Sequence, residues 1–246
     1  PRSRVDRLQP PDWARAPGVY FTGPPTDPAV FASFVTTVVQ RYGDRVANWE
    51  IWNEPNLPPL FWGLSRDRAA GYTELLKAAY PAVKAVQPGS TVIAGGLSPA
   101  FAPDAPPTFV AEMYDRGAKG FFDAMAMHPY VFPHGLEADT LNGWSDVERV
   151  RQLMVANGDG DKKIWMTEMG APTSAPTAEG GVSQQEQAKQ ILDGLRRAAQ
   201  TRTAVRRSSS ASATPTPPTR TTARTTSGAL VTTDWQPKLA ASALAR

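Results

Sequence analysis

The sequence lacks several features that would restrict where this protein works. It has no cysteine, so disulfide bonds are excluded and the redox compartment is undetermined. No apolar run approaches the ~20 residues that a membrane-spanning helix needs. The chain begins with Pro1 and carries no signal peptide, and we expect its true N-terminus to be missing because the initiator methionine is absent. Secretion is therefore neither shown nor excluded, and the localisation is unknown.

The net charge of +3 invites a nucleic-acid partner, but a single segment carries the excess. Residues 201–228 contain five arginines and no acidic residue, so removing them changes the net charge from +3 to −2. The rest of the chain is mildly acidic and offers no basic face to nucleic acid. We therefore predict no nucleic-acid partner.

A strand that ends in a carboxylate is the most informative stretch of the chain. Residues 49–56 read WEIWNEPN, and their aromatic and β-branched residues favour an extended strand. Pro55 cannot donate to a strand ladder and disfavours helical geometry at Glu54, so the strand is expected to stop there. Asn53 and Glu54 would then stand at the carboxyl end of a buried strand. A carboxylate in that position is costly unless it is paired or used, which makes Glu54 a candidate acid–base group.

A second apolar strand delivers another glutamate much later in the chain. Residues 163–170 read KIWMTEMG, and Gly170 and Pro172 break the strand directly after Glu168. Taken alone, a glutamate at a strand end is more often solvated or salt-bridged than catalytic. Two such strands, however, suit the paired carboxylates that hydrolyse glycosidic bonds.

Strands and helices alternate along the chain, which indicates an α/β fold with a parallel sheet. Strands are predicted near 47–53, 91–96, 122–128 and 162–168, and helices near 28–42, 67–86, 108–116, 145–157 and 183–199. Polar residues follow the strands at their carboxyl ends, the face that holds the active site in (β/α)8 barrels. Four strands cannot close a barrel of eight, so we predict an incomplete TIM barrel whose strands before residue 47 are missing.

The far end of the chain changes in composition. Residues 201–228 are almost entirely Thr, Arg, Ser, Ala and Pro without hydrophobic periodicity, which predicts disorder. The predicted organisation is therefore a partial barrel at 1–199, a low-complexity segment at 200–228 and a C-terminal barrel segment at 229–246. Two origins of the low-complexity segment stay open: a reading-frame error in GC-rich DNA, or a genuine flexible linker.

These motifs together resemble the clan A retaining glycoside hydrolases, nearest to family 39 and the family 5-type enzymes. WEIWNEPN is similar to the clan's fourth-strand signature, HPY at 128–130 to the end of its sixth strand, and KIWMTEMG to its seventh strand. DWQPK at 234–238 resembles the segment after the eighth strand. The resemblance covers roughly 10–199 and 229–246; the family's second-strand arginine and eighth-strand aromatic have no match.

The resemblance implies a role for each matching residue. Glu54 would be the acid/base, Glu168 the nucleophile, and Asn53 the partner of the sugar 2-hydroxyl. His128 and Tyr130 would support or orient the nucleophile or the sugar. The substrate would be a β-linked oligo- or polysaccharide, and neither a cofactor nor a metal would be needed.

Several residues have a structural interpretation beside the functional one. Trp13 and Trp62 are predicted to bind substrate as stacking surfaces near the site, but either could simply cover the core. Glu50 lies on the same strand face as Trp52 and Glu54 by period-two counting, and we interpret it as part of a buried polar layer paired to an arginine. Asp123, His128 and His134 do not form a convincing set of metal ligands.

Two other functions stay open beside catalysis. The chain could be a non-catalytic carbohydrate-binding remnant that keeps Trp13, Trp62 and Trp144 as stacking surfaces, or a fragment without a stable fold. Neither the sugar, nor exo or endo action, nor the oligomeric state follows from the sequence.

Overall fold

The computed structural model describes residues 5–8, 23–63, 67–173, 181–200 and 239–240. Within these residues, five strands form one parallel sheet in the order of the sequence. They are β1 (Val5–Leu8), β2 (Asn48–Asn53), β3 (Thr91–Leu97), β4 (Ala124–Met127) and β5 (Lys163–Met166). The helices between and after them are α1 (Pro28–Tyr42), α2 (Arg68–Val86), α3 (Pro106–Asp115), α4 (Ser145–Ala156) and α5 (Gln184–Gln200). The architecture is an incomplete (β/α)8 barrel, as predicted.

Strand β1 corrects one part of the prediction that the barrel strands before residue 47 are missing, because one such strand is present. Its four residues pair in parallel with β2, and the register places Val5 beside Asn48 and Arg7 beside Glu50. The sequence signal was too weak to reveal it, because four residues in a proline-rich region show no periodicity. The backbone of β2 completes the strand by supplying the neighbouring ladder.

The helix starts follow the sequence signals. Asp27 caps α1, its carboxylate accepting the N–H of Ala29 at 2.8 Å, and Pro28 occupies the first turn. At α5 the hydroxyl of Ser183 accepts the N–H of Glu186 at 3.1 Å. Ser183 and Glu186 have the spacing of a capping box, but among the described residues the Glu186 carboxylate accepts from Gln190 Nε2, so one half of the box is formed.

The core has two parts, one on each face of the sheet. The larger part packs strand residues such as Trp49 and Ile51 against α1 and α2. The smaller part joins Ile93, Ala124, Ala126 and Trp165 on the opposite face. Glu50 stands in register with Ile93 and so belongs to this second face, which would be the interior of a closed barrel.

Some predictions concern residues outside the described part of the chain. These are the stacking role of Trp13, the disorder of 200–228 beyond Gln200, and the segment 229–246 apart from Leu239 and Ala240, which are helical. Among the described helices, none combines the length and apolar character needed to cross a bilayer.

Candidate active site

Three strand ends bring the predicted site residues together. Glu54 follows β2, His128 follows β4, and Thr167 and Glu168 follow β5. Because the strands are parallel, their carboxyl ends lie along one edge of the sheet. One Glu54 oxygen, one Glu168 oxygen and a ring nitrogen of His128 all lie within 4.8 Å of one another.

Backbone strain accompanies the strand that carries Glu54. Trp52 has φ +75° and Glu54 has φ +45°, which is the left-handed region that side chains with a Cβ rarely enter. The Glu54 N–H donates to the carbonyl of Gly96 at 2.9 Å, so β3 holds the residue in place. Strained residues of this kind concentrate at functional sites.

The strain at Trp52 corrects the period-two prediction for this strand. Its indole packs edge-on against Phe31 and Trp62 in the helix-side core, and Nε1 donates to the carbonyl of Phe61 at 2.7 Å. Glu50 faces the opposite side. The left-handed conformation interrupts the alternation of the strand, so period-two counting fails at Trp52, whereas Glu50 and Glu54 both lie beside His128 as the counting predicted.

His128 and Tyr130 each form a hydrogen bond with one of the two glutamates. Nδ1 of His128 lies 2.8 Å from Oε1 of Glu54, and the Tyr130 hydroxyl donates to Oε2 of Glu168 at 2.5 Å. His128 Nδ1 is also 4.0 Å from that Glu168 oxygen. The Glu168 side chain is 23% exposed whereas the Glu54 side chain is 10% exposed, so Glu168 is the more accessible of the two carboxylates.

His128 is completely buried among acidic groups. Burial is the largest single influence on its pKa and opposes the charged ring. The hydrogen bond to Glu54 and the negative charges of Glu168, Glu54 and Glu50 together outweigh burial and raise the pKa of His128. The site therefore favours a protonated imidazole.

Beneath His128 lies a polar layer made by Glu50 and Thr167. The Thr167 hydroxyl is 3.1 Å from His128 Nε2 and donates to Glu50 Oε1 at 3.0 Å. The same Glu50 oxygen accepts the N–H of Gly96 at 2.8 Å. Glu50 is fully buried, which supports its interpretation as part of a buried polar layer.

Asn53 lies at the end of β2 beside Glu54. It is 6% exposed, and among the described residues its buried Oδ1 has no hydrogen-bond partner. An unsatisfied buried amide oxygen is costly, and a bound hydroxyl would satisfy it. This placement suits the predicted contact with a sugar.

The structure contradicts the predicted stacking role of Trp62. Its ring is 5% exposed and packs edge-on between Trp52 and Tyr72. Trp144, the surface considered for a binding remnant, is equally buried. Burying an indole removes a large apolar area from water, so each tryptophan stabilises the fold more in the core than in a position facing a sugar.

Metal binding was considered for Asp123, His128 and His134. Asp123 instead pairs with Lys84 and accepts from Tyr80, and His134 is exposed. Within the part of the chain that the structure describes, Glu54, His128 and Glu168 come close enough together to hold a cation. Two glutamates and a histidine also make an acid–base site, so the cluster gives no reason to assign a metal.

Thr167, Gly96 and Asn56 were missed as contributors to the site. Asn56 is fully buried and donates to the carbonyls of Ser98 and Asp104, which fastens the loop after β2 to the loop after β3. Gly96 makes room for His128, because an added Cβ would lie 2.0 Å from Nε2. The adjacent glycines of β3 were the available signal, since paired glycines in a strand mark close approach.

Known structures share this fold. The chain is similar to a family 39 glycoside hydrolase from the gut symbiont Bacteroides cellulosilyticus WH2, with a TM-score of 0.61 and 24% identity over 89% of this chain and 45% of that one. A GH39 β-xylosidase from Caulobacter crescentus gives a TM-score of 0.62 and 23% identity over 98% and 52%. Fungal β-1,4-galactanases give 0.55 and 18% over 74% and 58%.

These similarities confirm the resemblance to TIM-barrel glycoside hydrolases at the level of fold. No protein-family model matches the sequence, and no curated protein sequence matches it. The chain spans about half the length of the two family 39 structures named above, 45% of one and 52% of the other. Activity and substrate are therefore matters for proposal.

Proposed function

We propose that this chain carries the catalytic centre of a retaining glycoside hydrolase acting on a β-linked oligo- or polysaccharide. The observation that carries the proposal is that an oxygen of Glu54 and an oxygen of Glu168 lie within 4.8 Å of each other at the carboxyl ends of the strands. Retaining enzymes place their carboxyl groups ~5–5.5 Å apart, whereas inverting enzymes leave ~6.5–9.5 Å for a water. The similarity to a β-xylosidase and to β-1,4-galactanases supports a β-linked substrate.

In the first step Glu168 attacks the anomeric carbon while Glu54 gives its proton to the departing glycosidic oxygen. The bond from Glu168 to the sugar forms as the bond to the leaving alcohol breaks. Tyr130 donates to Glu168 Oε2 and so orients the carboxylate. Asn53 binds the 2-hydroxyl, a contact that strengthens as the transition state develops.

In the second step Glu54 acts as the base. It takes a proton from water, and the resulting hydroxide attacks the anomeric carbon of the glycosyl-Glu168 ester. The ester bond breaks, Glu168 leaves as a carboxylate, and Glu54 regains the proton that it lost. No cofactor takes part in this cycle.

The carbohydrate-binding remnant is the weaker candidate. It relied on Trp13, Trp62 and Trp144 as stacking surfaces; Trp62 and Trp144 are buried in the core, and Trp13 lies outside the described residues. A sugar-binding surface would need its aromatic faces open to solvent.

The decisive experiment is trapping with a panel of activated 2-fluoro β-glycosides, followed by intact-mass and tryptic peptide analysis. These reagents accumulate the covalent intermediate of a retaining enzyme. Trypsin separates the candidates, since Glu168 falls in peptide 164–189 while Glu50 and Glu54 fall in peptide 46–66. A glycosyl adduct within 164–189 supports the proposal, and the reactive sugar names the substrate. An adduct confined to 46–66, or none from any sugar on the folded protein, contradicts it.

A further inference from the structure

A buried chain of hydrogen bonds runs from Glu50 through Thr167 to His128 and ends at Glu54. The contacts are 3.0 Å from Thr167 to Glu50, 3.1 Å from Thr167 to His128 Nε2, and 2.8 Å from His128 Nδ1 to Glu54. Glu50, Thr167 and His128 are at most 1% exposed. The mechanism described above uses Glu54 but gives no role to Glu50 or Thr167.

The direction of this chain follows from counting hydrogens. A carboxylate oxygen only accepts, and Glu50 Oε1 already accepts the N–H of Gly96. The single hydroxyl hydrogen of Thr167 is therefore donated to Glu50. Thr167 can then only accept from His128, which requires a hydrogen on Nε2.

We propose that Thr167 and Glu50 are positioning residues that fix His128 with a hydrogen on Nε2, so that its Nδ1 shares a proton with Glu54. This inference rests on the proposed function and deepens it. With the ring fixed, the pair holds its shared proton in one of two arrangements. Either Glu54 is protonated and donates to a neutral Nδ1, or Glu54 is ionised and accepts from the imidazolium.

The fixed ring makes losing that proton unfavourable. Once the pair is deprotonated, the lone pair of Nδ1 faces the ionised oxygen of Glu54 at the same short distance. Moving the ring hydrogen from Nε2 to Nδ1 would require the Thr167 hydroxyl to turn its own hydrogen from Glu50 to Nε2, and the buried Glu50 carboxylate would then lose that hydrogen bond. The pair of Glu54 and His128 therefore retains its proton until that proton is transferred to the leaving alcohol. The deprotonated Glu54 is then a stronger base for the second step.

Among the described residues, three carboxylates lie close to the ring and all of them favour its protonated form. Glu54 faces Nδ1 at 2.8 Å and Glu168 at 4.0 Å, while Glu50 lies 3.9 Å from Nε2. The neighbouring Tyr130 hydroxyl donates to Glu168. Three carboxylates around one imidazole favour its protonated form, in agreement with the raised pKa of His128.

The test is ¹⁵N NMR of protein labelled at histidine, recorded over a pH series. The chain has only two histidines, and exposed His134 supplies a separate reference signal. Wild-type His128 should become neutral with its hydrogen on Nε2. A neutral wild-type ring with its hydrogen on Nδ1 would overturn the proposal, and this measurement needs no variant and no substrate.

Two substitutions extend the test. Thr167→Val removes the acceptor and should move the neutral hydrogen to Nδ1, whereas Thr167→Ser keeps the hydroxyl and should keep the hydrogen on Nε2. With an aryl β-glycoside, Thr167→Val should lower kcat about tenfold with little change in KM and move the alkaline limb of the kcat/KM profile to lower pH. Thr167→Ser should follow the wild type.

The outcomes separate this inference from the proposed function. If Thr167→Val leaves the hydrogen on Nε2, or if it moves the hydrogen but not the alkaline limb, the positioning role is wrong. If the wild type hydrolyses no β-glycoside at all, the proposed function fails, and the NMR result alone still decides how His128 is fixed.

Discussion

At the scale of single residues, the two glutamates differ in what surrounds them. Glu54 contacts an imidazole that can carry or release a proton. Glu168 accepts from a phenol hydroxyl, which stabilises the carboxylate without supplying a proton under ordinary conditions. These surroundings match an acid/base at Glu54 and a nucleophile at Glu168.

Replacing each glutamate by glutamine should therefore give different losses. Glu168→Gln should abolish turnover of every β-glycoside, because no carboxylate remains to form the ester. Glu54→Gln should slow natural substrates about 10²- to 10⁴-fold. It should still show a burst with aryl glycosides whose leaving group needs no protonation. Stopped-flow and steady-state assays measure both, with exposed Glu137→Gln as the control. Full turnover by Glu168→Gln would remove it from the nucleophile role.

At the scale of elements, β3 is shaped to let its neighbours approach. A Cβ on Gly95 would lie 2.6 Å from the carbonyl oxygen of Ile51, and one on Gly96 would lie 2.0 Å from the His128 ring. Gly96 also supplies an N–H to Glu50 and a carbonyl to Glu54. One glycine thus hydrogen-bonds the glutamate within β2 and the glutamate that follows it, and makes room for the histidine that follows β4.

Gly96→Ala should consequently displace His128 and lower activity about 100-fold or more, since a misplaced supporting group can cost that much. The matched control is Gly89→Ala, where an added Cβ meets nothing within 4 Å. Enzyme assays and thermal unfolding of both variants measure the loss of activity and show whether each variant still folds. If Gly96→Ala were as active as Gly89→Ala, His128 would not need its place against β3.

At the scale of the whole molecule, a buried histidine couples stability to pH. The pKa of His128 is raised in the folded protein, whereas in the unfolded chain it lies at about 6.5. A raised folded-state pKa means that the folded protein binds the proton more tightly. This contribution to stability is complete below about pH 6.5 and is lost as the pH rises through the folded-state pKa.

The free energy of unfolding should therefore fall with rising pH above 6.5 more steeply in the wild type than in His128→Gln. Urea unfolding at a series of pH values measures both slopes. Exposed Gln185→Ala alters no titrating group and should keep the wild-type slope. Parallel curves for the wild type and His128→Gln would show that the imidazole does not link folding to protons in this range.

Most helices and strands, and the two candidate catalytic glutamates, could be predicted from the sequence because their signals are local. Asp27 and Ser183 marked the starts of α1 and α5, and strand-ending Pro55 and Gly170 pointed to Glu54 and Glu168. Parallel strands align their carboxyl ends, so the meeting of these residues with His128 and Tyr130 could be expected as well.

Tertiary structure alone decided the remaining features. Strand β1 exists because β2 pairs with it, Trp62 is buried because α2 covers it, and the left-handed turn at Trp52 sends its ring into the helix-side core. Thr167 reaches Glu50 across 117 positions of sequence. Contacts of this kind depend on which groups the fold brings within hydrogen-bond distance, and a local pattern of residues carries no information about such distances.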